Sequence, residues 1–311
     1  MNNMTKVVVC SRSFSKNAKL REMLQMQFSH VTFNTSNQTF QGGDLLQFIK
    51  EAEVIIIGLE KIDRAIIDQC PNLKFVCKMG TGIDKVDVEA LKEKGINFFH
   101  TPGFNKRAVA ELVLIHALNL VRKIPQNVDD NNLKAWKQVM GSQLSERHIG
   151  ILGFGAVGKE VAGLFHAMGC EVSAYDIDPS LFKNQHIPYV DPITLFKTCD
   201  IVSIHIPLLP GTKGFVCEKY INALKSGSIL INTARGEIVD QDALKSRLKK
   251  NEIYAGLDVL LHEPNIDLDM TKLENVFVTP HIGGSTIEAV KMNASLIIDK
   301  LKRLKGGEVV F

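Results

Sequence analysis

The stretch Gly153-Phe-Gly155-Ala-Val-Gly158 decides the fold of the domain that contains it. It follows the apolar run 149–152 and precedes a helical pattern at 159–168, so the glycines stand at a strand-to-helix turn. In a dinucleotide-binding βαβ unit, the first glycine permits the turn, the second lets a pyrophosphate approach the backbone, and the third lets helix and strand pack closely. Amides at the start of the helix then face the phosphates. We predict a dinucleotide site at Gly153, Gly155 and Gly158, with Ala156 and Val157 in the same turn; a ligand-free glycine turn is the alternative.

An acidic residue, Asp176, ends the next predicted strand, 18 positions after Gly158. A carboxylate at this place accepts hydrogen bonds from the adenosine ribose hydroxyls and repels the additional phosphate of NADP. Asp176 therefore favours NAD as the cofactor. The alternatives are that Asp176 is a plain loop residue or that the neighbouring Asp178 binds the ribose.

Short β-branched runs alternate with amphipathic stretches along most of the chain, a pattern typical of βα units on parallel sheets. The helix predicted at 286–304 is long enough to return to the first domain. We therefore predict two open parallel-sheet α/β domains, with a Rossmann NAD-binding domain (101–284) inserted into a flavodoxin-like substrate-binding domain (1–100 and 285–311). The predicted strands are 6–10, 54–57, 73–77, 96–99, 148–152, 171–175, 201–206, 228–232, 253–257 and 276–279. Helices of the first domain are predicted at 20–26, 45–51, 65–69 and 88–94.

Three polar residues follow later strands of the second series: Arg235, Glu263 and His281. Ligands of open α/β sheets bind just beyond the carboxyl ends of the strands. An arginine there can hold a carboxylate with two hydrogen bonds. A glutamate beside a histidine fixes the tautomer of the imidazole and raises its basicity, so that the histidine can exchange a hydroxyl proton while hydride moves. Each residue alone is ambiguous, but together they predict a catalytic set.

With these motifs the chain resembles the D-isomer-specific 2-hydroxyacid dehydrogenases over nearly its whole length. The resemblance implies hydride transfer between a nicotinamide and a D-2-hydroxy acid or 2-keto acid. It further implies that Arg235 holds the substrate carboxylate and polarises the keto oxygen, that His281 is the acid/base and that Glu263 is its partner. The resemblance rests on Lys78-Met-Gly-Thr-Gly-Ile-Asp84-Lys-Val-Asp87, Ala110-Glu111, the glycine turn, His205-Ile-Pro207-Leu208 and the three strand ends.

The same resemblance implies further binding positions. Asp258 matches a position near the nicotinamide carboxamide, and the turn at 80–82 exposes amides that could receive the substrate carboxylate. For His205, packing at a strand end is the alternative, and Asp84 is expected to stabilise the turn. The implied cofactor positions are His205, Pro207, Thr212, Thr233, Ala234, Asp258 and Gly283. The implied substrate positions are Lys78, Gly80, Thr81, Gly82, Asn105 and Arg235.

Substrate choice depends on the first domain. The stretches 78–84 and 279–286 are similar to those of D-3-phosphoglycerate dehydrogenase, which makes 3-phosphoglycerate a candidate substrate. That enzyme commonly has an Arg-Ser pair where this chain has Ile57-Gly-Leu-Glu-Lys61, so a phosphate-binding arginine is missing here. Four cations could compensate: Lys61, Lys78, Lys106 and Arg107. Because the sequence ends at residue 311, we expect a short form without a C-terminal regulatory domain. The alternative function is a non-catalytic NAD-sensing protein, like the corepressors that resemble this family.

Composition excludes several classes of function. The formal net charge is +3, without a dense basic run among aromatic residues, which argues against nucleic-acid binding. No apolar run approaches the roughly 20 residues of a membrane span, and no signal-peptide pattern opens the sequence, so we expect a cytoplasmic protein. The 6 cysteines show no metal-site spacing, and we expect buried thiols and no metal.

Three further expectations concern packing. The apolar stretch 109–121 should form a helix whose exposed part joins two copies of the chain in a homodimer, as the family resemblance also implies. Burial of that helix within one chain is the alternative. We also expect Trp136 and His100 to be packing residues.

Overall fold

The computed structural model describes residues 1–183 and 186–306, and the chain divides into two compact units. Unit 1 comprises Met1–Asn105 and Ser285–Phe311, and unit 2 comprises Lys106–Gly284. The chain therefore leaves unit 1 after Asn105 and returns to it at Ser285. The predicted α/β class with two parallel sheets is confirmed.

Unit 1 contains a parallel sheet of five strands in the order β2-β1-β3-β4-β5, which is the flavodoxin-like order. Its strands are β1 (Lys6–Val9), β2 (His30–Phe33), β3 (Val54–Ile57), β4 (Phe75–Lys78) and β5 (Asn97–Phe99). Its first helices are α1 (Arg12–Ser15), α2 (Ala18–Gln25), α3 (Gly42–Ile49), α4 (Arg64–Asp68) and α5 (Val88–Glu93). Strand β2 was absent from the sequence prediction, because this edge strand buries no residue completely and carries no apolar run.

Unit 2 contains a parallel sheet of six strands in the order β11-β10-β9-β8-β6-β7. The strand order reverses between β6 and β8, which is where doubly wound sheets bind nucleotides. The strands are β6 (His148–Leu152), β7 (Glu171–Tyr175), β8 (Ile201–Ile204), β9 (Ile229–Asn232), β10 (Tyr254–Leu257) and β11 (Val276–Val278). The helices are α6 (Lys106–Val121), α7 (Ile124–Asn127), α8 (Asp130–Ala135), α9 (Ala156–Ala167), α10 (Pro192–Thr198), α11 (Glu218–Ala223), α12 (Gln241–Lys249) and α13 (Leu268–Thr271).

Two long helices fix the architecture of their units. Helix α6 packs against α9 and β10, and it buries residues on several faces while Ile115 stays exposed. The C-terminal helix, α14 (Ile287–Lys305), packs Ile297 and Leu301 into the apolar core beside β1, so it completes unit 1. Short 3-10 helices lie at Pro179–Phe182 and Gly236–Ile238.

The packing prediction for Trp136 is wrong, since this residue is 82% exposed. It directly follows α8, a short helix without a buried residue, so no core is available to cover the indole ring. His100 stacks on Phe98 with ring centroids 5.4 Å apart, as a packing residue should. Five of the six free cysteines are buried, and Cys217 is half-buried.

Among residues 1–183 and 186–306, no helix has the length and apolar composition needed to cross a membrane. The same residues hold no cluster of three or more histidine, cysteine, aspartate or glutamate side chains arranged for a metal ion.

Candidate active site

The glycine turn of unit 2 lies between β6 and α9. Gly153 has a φ of 101° and donates its N–H to the Tyr175 carbonyl across 2.8 Å. A Cβ at Gly153 would lie 2.7 Å from the His205 carbonyl carbon, and one at Gly158 would lie 2.0 Å from the Gly153 oxygen. By contrast, nothing lies within 4 Å of a Cβ built on Gly155, where α9 begins. Packing thus requires glycine at positions 153 and 158. Gly155 leaves open space beside the first turn of the helix, which fits a pyrophosphate.

Asp176 is fixed at this turn. Its Oδ2 accepts the Phe154 N–H across 2.7 Å, and its Oδ1 accepts the Asp178 N–H across 3.1 Å. Asp178 has a separate task, because its carboxylate accepts the Ser180 N–H across 2.9 Å and caps the 3-10 helix that follows. This leaves Asp176, at the glycine turn, as the candidate for the ribose hydroxyls of a dinucleotide.

Two more turns follow the neighbouring strands. After β8, the Nε2 atom of His205 lies 2.8 Å from the Ser203 hydroxyl, and burial lowers the pKa of the imidazole well below its ordinary value. The Thr212 hydroxyl donates to the Pro207 carbonyl across 2.5 Å and so closes the loop that both residues share. After β9, the Thr233 hydroxyl is buried and has no hydrogen-bond partner among the described residues, which suits an atom of a bound ligand.

The predicted catalytic residues lie together in unit 2. The Nδ1 atom of His281 is 2.6 Å from Oε2 of Glu263, and Oε1 of Glu263 accepts the Leu260 N–H across 3.0 Å. Burial raises the pKa of Glu263, but the His281 hydrogen bond and charge, the Leu260 amide and the Arg235 charge outweigh burial, so the pKa is lowered. The Arg235 guanidinium also donates to the Ala234 carbonyl across 2.7 Å. An ionised glutamate in contact with a histidine, and near enough to an arginine to be affected by its charge, suits proton exchange with a substrate oxygen.

Asp258 organises the turn that carries His281. It is 2% exposed and accepts three hydrogen bonds: from the Thr279 hydroxyl across 2.6 Å, and from the amides of Ile282 and Gly283 across 2.8 Å each. Its carbonyl accepts the His281 N–H across 2.9 Å. Burial raises the pKa of Asp258, and the three hydrogen bonds only partly offset this effect. The sequence analysis did not identify Thr279 as a functional residue, although Thr279 opens the stretch 279–286 and stands two positions before His281.

The substrate positions predicted in the first domain lie in unit 1. Lys78 is 5% exposed and donates its Nζ to the Gly58 carbonyl. The Gly58 N–H donates to Oε2 of Glu60 across 2.6 Å, and Glu60 is 1% exposed. Gly80 opens the 80–82 turn with a φ of 134°, and the Asn105 side-chain oxygen is buried without a hydrogen-bond partner among the described residues.

The other cations proposed to compensate for the missing arginine form ion pairs. Lys61 lies 3.0 Å from Asp63, Lys106 lies 3.4 Å from Glu160, and Arg107 lies 2.8 Å from Glu111. These pairs are exposed and therefore weak.

Comparisons with known proteins identify the family of the chain. Residues 114–283 match the model of the D-isomer specific 2-hydroxyacid dehydrogenase NAD-binding domain. Hydroxypyruvate reductase of Thermotoga maritima is 34% identical over 289 residues, which cover 90% of this chain and 94% of that protein. D-3-phosphoglycerate dehydrogenase of Methanocaldococcus jannaschii is 34% identical over 86% of this chain, but over only 52% of its own length.

A solved structure gives the same result at the level of the fold. The NAD⁺-bound 3-phosphoglycerate dehydrogenase of Entamoeba histolytica is 26% identical and superposes with a TM-score of 0.82, over 99% of this chain and 98% of that one. The family model spans more than half of the sequence, and a relative of similar length exceeds 30% identity. This chain therefore belongs to the D-isomer specific 2-hydroxyacid dehydrogenase family and is an NAD-dependent dehydrogenase.

Proposed function

We propose that the protein interconverts a small unphosphorylated 2-keto acid and its D-2-hydroxy acid, with Arg235, Glu263 and His281 as the catalytic residues. The observation that carries this proposal is the 2.6 Å contact between His281 and Glu263. Because an ionised Glu263 accepts the proton on Nδ1, the other ring nitrogen, Nε2, is left to face the substrate. NAD, when bound, supplies or accepts the hydride.

In the direction of reduction, His281 donates its Nε2 proton to the substrate oxygen, and Arg235 stabilises the negative charge that develops there. Glu263 stabilises the imidazolium before the transfer and holds the ring in place. In oxidation, neutral His281 accepts the hydroxyl proton. General acid/base catalysis of this kind contributes about 10²- to 10⁴-fold.

The residues that would hold NAD are those of unit 2. Backbone amides at Gly155, Ala156 and Val157 suit the pyrophosphate, Asp176 suits the ribose, and the unpartnered Thr233 hydroxyl and Asp258 suit the nicotinamide end. We assign His205, Pro207, Thr212, Ala234 and Gly283 to the walls of the same site. Unit 1 would contribute the 80–82 turn and Asn105 to substrate binding.

An unphosphorylated substrate is favoured by the cations of unit 1. The stretch 57–61 contains no arginine that could bind a phosphate, and Lys78 is buried against the carbonyl of Gly58, whose N–H donates to Glu60. A buried lysine held in this way is a poor receptor for a mobile dianion, since the substrate would have to displace its partners. The relative of matching length, from Thermotoga maritima, is a hydroxypyruvate reductase.

The test is a panel of 2-keto acids with NADH: glyoxylate, pyruvate, hydroxypyruvate and 3-phosphohydroxypyruvate. We expect kcat/KM for hydroxypyruvate or glyoxylate to exceed that for 3-phosphohydroxypyruvate at least tenfold. His281→Gln should bind NADH normally and lose most turnover. A higher kcat/KM for 3-phosphohydroxypyruvate, or near-normal turnover in His281→Gln, would contradict the proposal. No turnover of any acid would favour an NAD-sensing protein instead.

Lys78→Met separates a structural lysine from a phosphate ligand. If Lys78 is structural, the ratio of kcat/KM between 3-phosphohydroxypyruvate and hydroxypyruvate stays unchanged, even if both values fall. If Lys78 binds the phosphate, the ratio falls at least tenfold. Should Lys78→Met fail to fold, Lys78→Gln provides the same comparison, because it removes the charge and keeps an N–H donor for the Gly58 carbonyl.

We also propose that two copies of the chain associate through the segment 106–140, which comprises α6–α8 and the residues that follow them. This segment exposes large apolar side chains on one unit, and exposed apolar patches of this kind mark interaction sites. They are Ile115, Ile124, Val128, Leu133, Trp136 and Met140.

A further inference from the structure

A buried histidine outside the catalytic set is linked to it by hydrogen bonds. His116 lies in α6 with 0% exposure, and its Nε2 is 3.1 Å from the Thr279 hydroxyl oxygen. That hydroxyl in turn lies 2.6 Å from Oδ1 of Asp258. The three residues therefore form a chain, His116–Thr279–Asp258, within unit 2. It ends at the aspartate that holds both sides of His281.

The direction of these hydrogen bonds follows from the number of protons available. Both oxygens of Asp258 already accept backbone amides, from Ile282 and Gly283, so the carboxylate acts as an acceptor. The single hydroxyl proton of Thr279 must then point to Asp258. Since it cannot also point to His116, the Nε2 atom of His116 carries a proton and donates it to Thr279. The Nδ1 atom has no partner among the described residues, which agrees with a neutral ring.

The surroundings of His116 are shaped to hold the ring in this orientation. A Cβ built on Gly256 of β10 would lie 2.9 Å from both Cβ and Nδ1 of His116, so only glycine leaves room for the imidazole. The edge of the ring faces Phe277, with centroids 5.1 Å apart and planes at 66°. Steric contacts therefore fix the plane of the His116 ring. Its Nε2–H group then donates a hydrogen bond to the Thr279 hydroxyl oxygen from a fixed position.

We propose that His116 is a positioning residue for the proposed reaction: by donating to Thr279, it aims the Thr279 hydroxyl at Asp258 and so holds the turn that carries His281. Without this donor, the Thr279 oxygen would lose one of its two hydrogen bonds, and its hydroxyl would be held at Asp258 by a single contact. With His116 in place, the carboxylate of Asp258 accepts three hydrogen bonds. Asp258 then anchors the backbone on either side of His281. The proposal rests on the catalytic role that we assign to His281.

Matched variants separate the hydrogen bond from the volume of the ring. His116→Gln places an amide N–H near the position of Nε2, whereas His116→Met has the same length and no donor. We expect His116→Met to lower kcat about tenfold, the effect of one buried hydrogen bond, with less than a threefold change in the keto-acid KM and in NADH affinity. His116→Gln should keep kcat within about threefold of the native value. Equal losses in the two variants would contradict the proposal, because ring volume would then explain both.

Thr279 supplies a second and independent test. Thr279→Val should lower kcat as His116→Met does, and Thr279→Ser should retain activity. Because the two residues act through one hydrogen bond, the double variant His116→Met/Thr279→Val should be no slower than the poorer single variant. Multiplied losses in the double variant would show that the residues act separately and would overturn the proposal.

A measurement without turnover distinguishes failure of this inference from failure of the proposed function. In the ¹⁵N-histidine-labelled protein at pH 7, the imidazole signals that disappear in His116→Gln should show a protonated Nε2 and an unprotonated Nδ1. A protonated Nδ1 would overturn the chain of hydrogen bonds, whatever the substrate. If the tautomer is as expected but no 2-keto acid is reduced, the proposed function fails and the positioning of Thr279 by His116 stands.

Discussion

Phe154 donates its backbone N–H to the Asp176 carboxylate across 2.7 Å, so the second residue of the glycine turn holds the acid that follows β7. The pyrophosphate and ribose positions of the proposed NAD site are therefore coupled through one hydrogen bond. If Asp176 binds the ribose as proposed, this contact holds its carboxylate where it would repel the additional phosphate of NADP.

Asp176→Asn should weaken the preference for NADH over NADPH. The amide oxygen can still accept the Phe154 N–H, while the charge that repels the phosphate is lost. We expect the NADH-to-NADPH ratio of kcat/KM to fall at least tenfold with one keto acid. Asp178→Asn is the control, because Asp178 caps a 3-10 helix and should leave the ratio unchanged. An unaltered ratio in Asp176→Asn would remove Asp176 from cofactor selection.

Glu263→Gln should move the pH profile of keto-acid reduction to lower pH. The pKa of Glu263 is lowered, so in the native protein its carboxylate stays ionised down to the acid side of its ordinary range and is lost only below it. The carboxylate stabilises the imidazolium that donates the proton, and a neutral amide does not. We expect kcat at pH 7 to fall about 10- to 100-fold, with partial recovery as the pH is lowered.

Glu263→Asp is the matched control, since it keeps the charge and changes only the reach of the side chain. It should lose activity without a shift of the profile. If Glu263→Gln loses activity equally at every pH, Glu263 positions His281 and does not affect the proton affinity of its imidazole.

Strand ends were the most predictable part of the site. Strands on parallel sheets appear as short apolar runs, and the polar residue after each run marks the ligand-binding edge, which is how Arg235, Asp258 and Glu263 were found. The edge strand β2 has no such run and escaped prediction. The role of His116 was not predicted. The stretch 109–121 indicates a buried helix, but the hydrogen-bond partner of a polar residue in that helix depends on which strand faces it.

Trp136 shows a different limit of sequence reasoning. A tryptophan is usually part of a core. Whether a core is available to it depends on the path of short helices such as α8, which buries no residue. Substrate choice is limited in a similar way. The sequence shows that the stretch 57–61 contains no arginine, whereas the burial of Lys78 and Glu60 becomes visible only once β3 and β4 are paired.

Acid should destabilise the native protein more than the variant His116→Gln. Burial lowers the pKa of His116 to about 4, whereas an unfolded chain binds this proton near its ordinary pKa of about 6.5. The neutral ring therefore gives its full stability above about pH 6.5, and this stability is lost as the pH falls towards 4. The slope is at most ~1.4 kcal/mol per pH unit.

Urea unfolding at pH 7.0 and pH 5.0 measures this difference. Between these values the free energy of unfolding should fall by about 2 kcal/mol more in the native protein than in His116→Gln, because glutamine does not titrate. His30 is the control position: it is exposed on the edge strand β2, so His30→Gln should lose stability in parallel with the native protein. Parallel losses in His116→Gln as well would mean that His116 titrates normally in the folded state.

Self-association should depend on the segment 106–140. Trp136 and Met140 are 82% and 88% exposed, and covering them removes apolar surface from water at roughly 25 cal/mol per Å². We expect the native protein to sediment at twice the single-chain mass of 34.5 kDa, and Trp136→Ser/Met140→Ser to sediment as one chain. Leu268→Ser is the matched control, because Leu268 is 63% exposed on α13 and its substitution should leave the mass unchanged.

Trp136 is the only tryptophan, so its emission should shift to longer wavelength on dilution as the two copies separate. A native protein that sediments as a single chain at micromolar concentration, with emission independent of dilution, would exclude this interface.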